Sequence, residues 1–310
     1  MNGLLRGNAL MALAAALLWG GGDFSGGMGV KRAGGGVGAA LRVVLLSHLT
    51  SFAVLVAIAR MRGDAFPHGA PLEWGLAAGV AGGLALTAFY TALSRGAMGA
   101  SAAVSGLLAA AIPAGLTLEQ KGSPGTWPLL GFAVAGAAIW LIAAGDAHGV
   151  ESAEERAREI AGGGVRGSNR QTMTLAVLAG AGFGVYFVAL KMANPAGVIW
   201  PMATARIGSL SVCSLMLVGR SLRQWDKDTA PLRMGRAVGW ALSTALLDTS
   251  GNLLFLAATR AGRLDVAAVL ASLYPASTIV LAALALGEWP TQRQALGMAA
   301  AAAAVVMIAM

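Results

Sequence analysis

The chain has 310 residues, of which 57% are hydrophobic and only 12% are charged, and its formal net charge is +8 at pH 7. Soluble domains carry about 25% charged residues, so a soluble fold could not bury this much apolar surface and is excluded. The lysines and arginines stand singly or in pairs at the ends of apolar segments, which indicates anchors at lipid headgroups and excludes a nucleic-acid patch.

The apolar segments predict ten membrane-spanning helices, since each crossing needs about 20 mostly apolar residues. The first five lie near residues 9–29, 36–59, 73–93, 99–118 and 126–144, and the second five near 172–192, 197–218, 238–258, 266–286 and 292–310. The first segment could be mistaken for a signal peptide, with Arg6 before an Ala/Leu run. It continues to Val30 without a polar cleavage region, which favours a retained first helix.

A polar segment, residues 146–170, separates the two sets of helices. It carries six glutamates and arginines between positions 151 and 159 and a glycine run at 162–164, which indicates a linker, with room for one short surface helix. The predicted division is a first repeat over 1–145, the linker over 146–170, and a second repeat over 171–310.

The two halves superpose on each other as sequences. At shifts of 164 and 165 residues, Trp19 falls on Phe183, Arg42 falls on Arg206, and residues 90–95 fall on 255–260. Because each half has an odd number of predicted helices, the second half must insert with inverted topology, and a ligand site is expected where the halves meet. The predicted fold class is therefore an all-α membrane protein of two inverted five-helix repeats around a central cavity.

Small residues and prolines predict how the bundle packs. Glycines at a spacing of four mark close helix contacts, at Gly75, Gly79 and Gly83 in the third helix and at Gly180 and Gly184 in the sixth. Pro113 and Pro275 lie inside the fourth and ninth helices, where proline kinks a helix. Such kinks serve either as hinges beside a cavity or as static packing features.

Three motifs resemble the EamA-type repeat of the drug/metabolite transporter superfamily. They are residues 19–24 (WGGGDF), residues 89–96 (FYTALSRG), and residues 269–275 (VLASLYP) followed by 286–288 (LGE). The resemblance implies a ten-helix, inverted-repeat carrier with a central cavity, often an exporter of amino acids, other metabolites or toxic compounds. The first half departs from the pattern at residues 119–122, which follow Pro113 closely and shorten the fourth helix.

Ionisable residues within the predicted helices are few. A charge at mid-bilayer costs at least about 2.5–3.5 kcal/mol, so each needs a partner or a wet cavity. Asp23 and Arg42 lie at similar depth and either form a fixed ion pair, or Asp23 is a cavity carboxylate that binds a cation or a proton. Asp248 and Asn252 share one face of the eighth helix, and Arg206 is a candidate counter-ion. For Asp248, ligand binding and a buried structural hydrogen bond both stay open.

The chain has three tyrosines, all within predicted helices that the resemblance places around the cavity. Their rings could flank a solute, or they could be core residues. The candidate substrate-binding residues are Trp19, Asp23, Tyr90, Tyr186, Asp248, Asn252 and Tyr274, and the candidate ion-pair or coupling residues are Asp23, Arg42, Arg206 and Asp248. His48 could shuttle protons, although a lone histidine in a helix is more often structural.

No metal-ligand, phosphate-loop or nucleophile motif is found, and Cys213 is the single cysteine, so an enzyme, a cofactor and a metal are not expected. The prediction is a secondary transporter that exports a small organic solute, such as an amino acid or related metabolite, by alternating access across a prokaryotic inner membrane. Protons are the candidate coupling ion. The alternatives are a facilitative carrier or exchanger and a non-transporting membrane protein. Orientation stays open, because the positive-inside rule opposes the cytoplasmic termini that the resemblance implies.

Overall fold

The computed structural model of the protein describes residues 2–95, 98–146, 165–222, 234–286, 289 and 291–309, and over these residues the chain is helical and contains no strand. The helices are α1 Asn2–Ala33, α2 Gly36–Arg62, α3 Ala70–Arg95, α4 Met98–Lys121, α5 Thr126–Asp146, α6 Val165–Ala193, α7 Ile199–Leu222, α8 Met234–Ala261, α9 Leu264–Ala271, α10 Tyr274–Leu286 and α11 Gln292–Ala309. A 3-10 turn, Asn194–Ala196, joins α6 to α7.

Seven helical segments of the described chain are long and apolar enough to cross a membrane. They are α1, α2, α3, α6, α7, α8 and the segment formed by α9 with α10. The predicted all-helical membrane fold is confirmed, and the protein is an integral, multi-pass membrane protein. The predicted linker falls largely on residues 147–164, outside the described residues, so its structure stays a prediction.

The predicted kink at Pro275 is a break between two helices. The chain leaves α9 at Ser272, whose N–H bonds to the carbonyl of Ala268 at 2.9 Å, and enters α10 at Tyr274. Pro275 therefore stands in the first turn of α10, where its missing N–H has no helical partner to lose. By contrast, α4 continues through Pro113.

Helices from the two halves of the chain pack against each other in pairs. α1 lies along α8, α3 along α6, α2 along α7, and α5 along α11. The α1–α8 contact is antiparallel and close, because Ser25 Oγ lies 3.2 Å from Ser243 Oγ, and a Cβ on Gly22 would lie 3.3 Å from the backbone N of Asp248. Residues of both halves therefore meet at the same depth.

The predicted glycine contacts are confirmed. A Cβ on Gly79 would collide with the backbone carbonyl of Ala205 in α7, and one on Gly83 would lie 2.6 Å from Ser209 Oγ. In α6, a Cβ on Gly180 would lie 2.6 Å from a backbone oxygen of α4. These glycines bring α3 against α7, and α6 against α4, around the space described next.

Candidate functional site

A cavity lies near mid-depth of the bundle, between helices of both halves. Its lining contains an aromatic set and a polar set of side chains. The aromatic set, here called the aromatic wall, is Trp19, Phe183, Tyr186, Phe187 and Tyr274, and the polar set, here called the polar wall, is Asp23, His48, Arg206, Ser209, Asp248 and Asn252. The cavity has a volume of about 40 Å³, enough to hold water. Helices of both halves contribute residues to its lining.

Six of the seven candidate substrate-binding residues line this cavity. They are Trp19, Asp23, Tyr186, Asp248, Asn252 and Tyr274. Tyr90 is 1% exposed and lies outside the lining, with its ring packed on Gly26. Its hydroxyl has no hydrogen-bond partner among the described residues.

An ion pair joins α7 to α8 at the polar wall. Nη2 of Arg206 donates to Oδ2 of Asp248 at 2.5 Å, and the two side chains are 3% and 13% exposed. The other oxygen of Asp248 accepts a bond of 3.0 Å from Nδ2 of Asn252, one turn further along α8. Tyr186 in α6 donates to Oδ1 of Asn252 at 2.6 Å. Four side chains from three helices thus form one chain of hydrogen bonds.

The remaining donors of Arg206 point to α2 and α8. Nε donates to Ser51 Oγ at 2.9 Å, and Nη1 lies 2.7 Å from Nε2 of His48. Nη2 also donates to Thr249 at 3.4 Å, a long contact. His48 completes the network through Nδ1, which lies 2.6 Å from Ser209 Oγ. Every nitrogen of the guanidinium therefore has a partner within the protein.

Sequence reasoning assigned no cavity role to His48, which lines the cavity. The available signal was its spacing from Ser51, because residues three apart share a helix face. Both side chains are buried and both contact Arg206. Nothing in the sequence indicated that this face of α2 meets α7.

Asp23 faces the cavity without a partner. Its side chain is 8% exposed, and in the part of the chain that the structure describes it forms no hydrogen bond and no ion pair within 4 Å. The structure does not bring Arg42 to it, because α1 packs along α8 while α2 packs along α7. Arg42 donates instead to the carbonyl of Gly38 in its own helix, at 3.4 Å.

Within the aromatic wall, Trp19 of α1 stacks on Phe187 of α6, and Phe255 of α8 packs on them from outside the cavity lining. The rings of Trp19 and Phe187 are parallel within 6°, with centroids 5.2 Å apart, and Phe255 lies 4.7 Å from Phe187. Tyr274, at the start of α10, donates to the carbonyl of Ala102 at 3.3 Å. The aromatic wall therefore holds its rings together by stacking within the same cavity that Asp23 and Asp248 line.

The comparison that decides the family covers the second half of the chain. Residues 170–310 match the sequence model of the EamA-like transporter family, within the drug/metabolite transporter superfamily. These residues belong to the EamA-like transporter family. The resemblance is thereby confirmed for the second half of the chain, which contains the motif at residues 269–288, and the family indicates a membrane transporter of the drug/metabolite type.

A solved structure shares the fold over nearly the whole chain. A solved structure titled "Crystal structure of protein" covers 98% of this chain and 98% of its own, with a TM-score of 0.69 and 15% sequence identity. At that identity the likeness shows a shared fold and nothing more. No curated protein matches this chain in sequence.

The EamA-like second half supplies most of the hydrogen-bonded polar groups of the cavity. Arg206, Asp248, Asn252 and Tyr186 all lie within residues 170–310. The first half supplies the unpaired carboxylate of Asp23, together with Trp19, His48 and three glycines. The polar cavity is therefore shared between the EamA-like half and the half that precedes it.

Proposed function

We propose that the protein is a secondary transporter of a small organic solute and that it works by alternating access. The observation that carries the proposal is a mid-depth cavity, walled by both halves, into which Asp23 and Asp248 both point. A charge at this depth costs at least about 2.5–3.5 kcal/mol of insertion free energy, so a helical bundle without a transport role would be more stable with apolar residues here. A carrier needs such groups, because a solute must exchange water for protein contacts midway across.

The pairing of helices supports two inverted repeats. The first helix of one half packs on the third helix of the other, as α1 on α8 and as α6 on α3. The contact of Gly22 with Asp248 has a counterpart, since a Cβ on Gly82 would lie 2.9 Å from the ring of Tyr186. At the shifts that superpose the halves, Gly22 corresponds to Tyr186, and Asp248 corresponds to Gly83, so the counterpart contact is displaced by one residue, to Gly82. Such exchange is what a two-fold axis in the membrane plane produces.

For direction, solute and location, the proposal follows the family. It is export of an amino acid or related metabolite across the inner membrane of a prokaryote, with a proton gradient as the driving force and Asp23 or Asp248 as the proton site. The rival within transport is a facilitative carrier or exchanger, in which both carboxylates only bind solute. The two differ in whether a pH gradient drives accumulation.

The first experiment is reconstitution into liposomes and measurement of flux against a metabolite library. Accumulation that follows an imposed pH gradient, and that stops with a protonophore, supports proton coupling. Flux that only equilibrates the solute supports the facilitative rival. Absence of flux for every library member, in protein that is monodisperse and folded, would contradict the carrier proposal.

The coupling role of Asp248 has its own variant. In Asp248→Asn we expect gradient-driven accumulation to be lost, because the neutral amide cannot carry a proton across. Since this change also leaves Arg206 without its counter-charge, circular dichroism and size-exclusion profiles accompany the flux assay. Asp64→Asn, the same change in the loop between α2 and α3, is the matched control. Undiminished proton-driven flux in folded Asp248→Asn protein would remove this residue as the coupling group.

A further inference from the structure

We infer that the solute carries a cationic amine or ammonium group on an apolar body, and that Asp23 is the residue that binds the cation. The inference rests on the proposed carrier function and adds the chemical class of its solute. It follows from which charges in the cavity are already paired and which one is not.

Four acidic or basic side chains line the cavity, and the charges of three of them sum to zero. Arg206 and Asp248 cancel each other in an ion pair of 2.5 Å. His48 accepts a hydrogen bond from Arg206 at Nε2, so its ring is uncharged. The remaining group is the carboxylate of Asp23, buried and without a partner in the described chain. In its ionised form this carboxylate would pair with a cation entering the cavity, whereas an anion would add a second uncompensated charge.

An acidic group on the solute would find no free basic partner. Arg206 is the one basic side chain among the lining residues that the structure describes, apart from the uncharged imidazole of His48. Its Nε, Nη1 and Nη2 are already directed to Ser51, His48 and Asp248. A solute carboxylate would have to displace the Asp248 carboxylate from a buried pair, at the cost of leaving that carboxylate unpaired. The geometry therefore disfavours recognition of an anion, and among amino acids and related metabolites it favours an amine without a carboxylate over an amino acid.

The surroundings of Asp23 suit an ammonium group with an apolar body. Trp19 lies one helical turn before Asp23, on the same face of α1, so an indole and a carboxylate border the same part of the cavity. The faces of Trp and Tyr rings attract cations, more strongly where water is excluded. Phe183 and Phe187 continue the wall and would contact the apolar part. A carboxylate at one end of a cavity and aromatic rings along the rest of it are typical of a binding site for amines.

The test compares three probes that share a phenyl ring and differ in their polar end: 2-phenylethylamine, 2-phenylethanol and 3-phenylpropanoate. Binding to purified protein is measured by isothermal titration calorimetry at about pH 7, where the amine is protonated. We expect the amine to bind at least about tenfold more tightly than the alcohol, and the carboxylate to bind most weakly. Equal binding of all three, tighter binding of the carboxylate, or no binding of the amine would overturn the inference.

Two variants, Asp23→Asn and the control Asp64→Asn, test whether Asp23 causes the preference for the amine. Asp23→Asn should bind the amine and the alcohol about equally, while Asp64→Asn should keep the wild-type preference. Retained amine preference in Asp23→Asn would overturn the role of Asp23. If that variant does not fold, the probe series on the wild-type protein still decides the solute class, and Asp23→Ser, which is small and uncharged, decides the residue: loss of the amine preference supports the role of Asp23, and a retained preference overturns it.

Binding and flux measurements together distinguish an error in the cation site from an error in the carrier proposal. Amine binding without flux of any amine would keep the cation site and contradict transport. Flux restricted to neutral or anionic solutes would keep the carrier and contradict the cation site.

Discussion

Nη1 of Arg206 lies 2.7 Å from Nε2 of His48, between α7 and α2. A guanidinium group has donors and no acceptor, so this ring nitrogen accepts the hydrogen bond. The proton of the imidazole is therefore on Nδ1, which donates to Ser209 Oγ at 2.6 Å. One short contact thus fixes the tautomer of His48 and couples it to the ion pair with Asp248.

Replacement of His48 tests this assignment. His48→Gln can present its carbonyl oxygen to Arg206, whereas His48→Leu leaves a buried, charged donor unsatisfied. We expect His48→Leu to lower the free energy of unfolding by about 1–3 kcal/mol and His48→Gln to lower it by less. Unfolding is followed by circular dichroism in mixed detergent–SDS micelles. Equal losses for the two variants would argue against the acceptor role of Nε2.

The buried tyrosines Tyr186 and Tyr90 form a matched pair for a second prediction. Tyr186 donates to Oδ1 of Asn252 at 2.6 Å, whereas the hydroxyl of Tyr90 has no partner in the described chain. Tyr186→Phe should therefore cost about 1–3 kcal/mol, because it leaves the amide oxygen of Asn252 unpaired. Tyr90→Phe should cost little or add stability. Thermal unfolding in one detergent compares the two, and a larger loss for Tyr90→Phe would contradict the hydrogen-bond network.

The contact of α3 with α7 gives a third prediction. Gly79→Ala would drive a methyl group into the backbone carbonyl of Ala205, and backbone on both sides leaves little room for adjustment. We expect a loss of about 1–3 kcal/mol, as for overpacking in cores. Gly115→Ala is the control, since a Cβ there meets nothing within 4 Å. Apparent melting temperatures measure both changes, and similar values would show that α3 and α7 are not in close contact.

Much of the fold could be predicted from the sequence, because length and hydropathy decide where a helix can cross a membrane. The helix breaks at residues 34–35 and 262–263 fall in the predicted connections. Within a helix, spacing also sufficed: Asp248 and Asn252 are four apart, and their side chains are bonded at 3.0 Å. These features depend only on neighbours along the chain.

The partners across helices were harder to predict. Arg42 and Arg206 occupy equivalent positions in the two halves and lie at similar depth, yet Arg206 has a carboxylate partner and Arg42 bonds to its own helix. The depth of a residue in the membrane can be predicted from its place in an apolar segment. Which helices become neighbours depends instead on contacts such as Gly22 with Asp248, which bring α1 against α8. The same limitation concealed the place of His48 in the cavity.

The close antiparallel contact of α1 with α8 limits which helices could move relative to each other in a transport cycle. Trp19 packs on Gly251 and Gly22 packs on Asp248, so these two helices cannot slide past each other without a collision of backbone and ring. α1 comes from the first half of the chain and α8 from the second, so in the proposed alternating-access cycle these two helices would move as one body. The moving bodies of the proposed carrier would then differ from the two halves of its sequence.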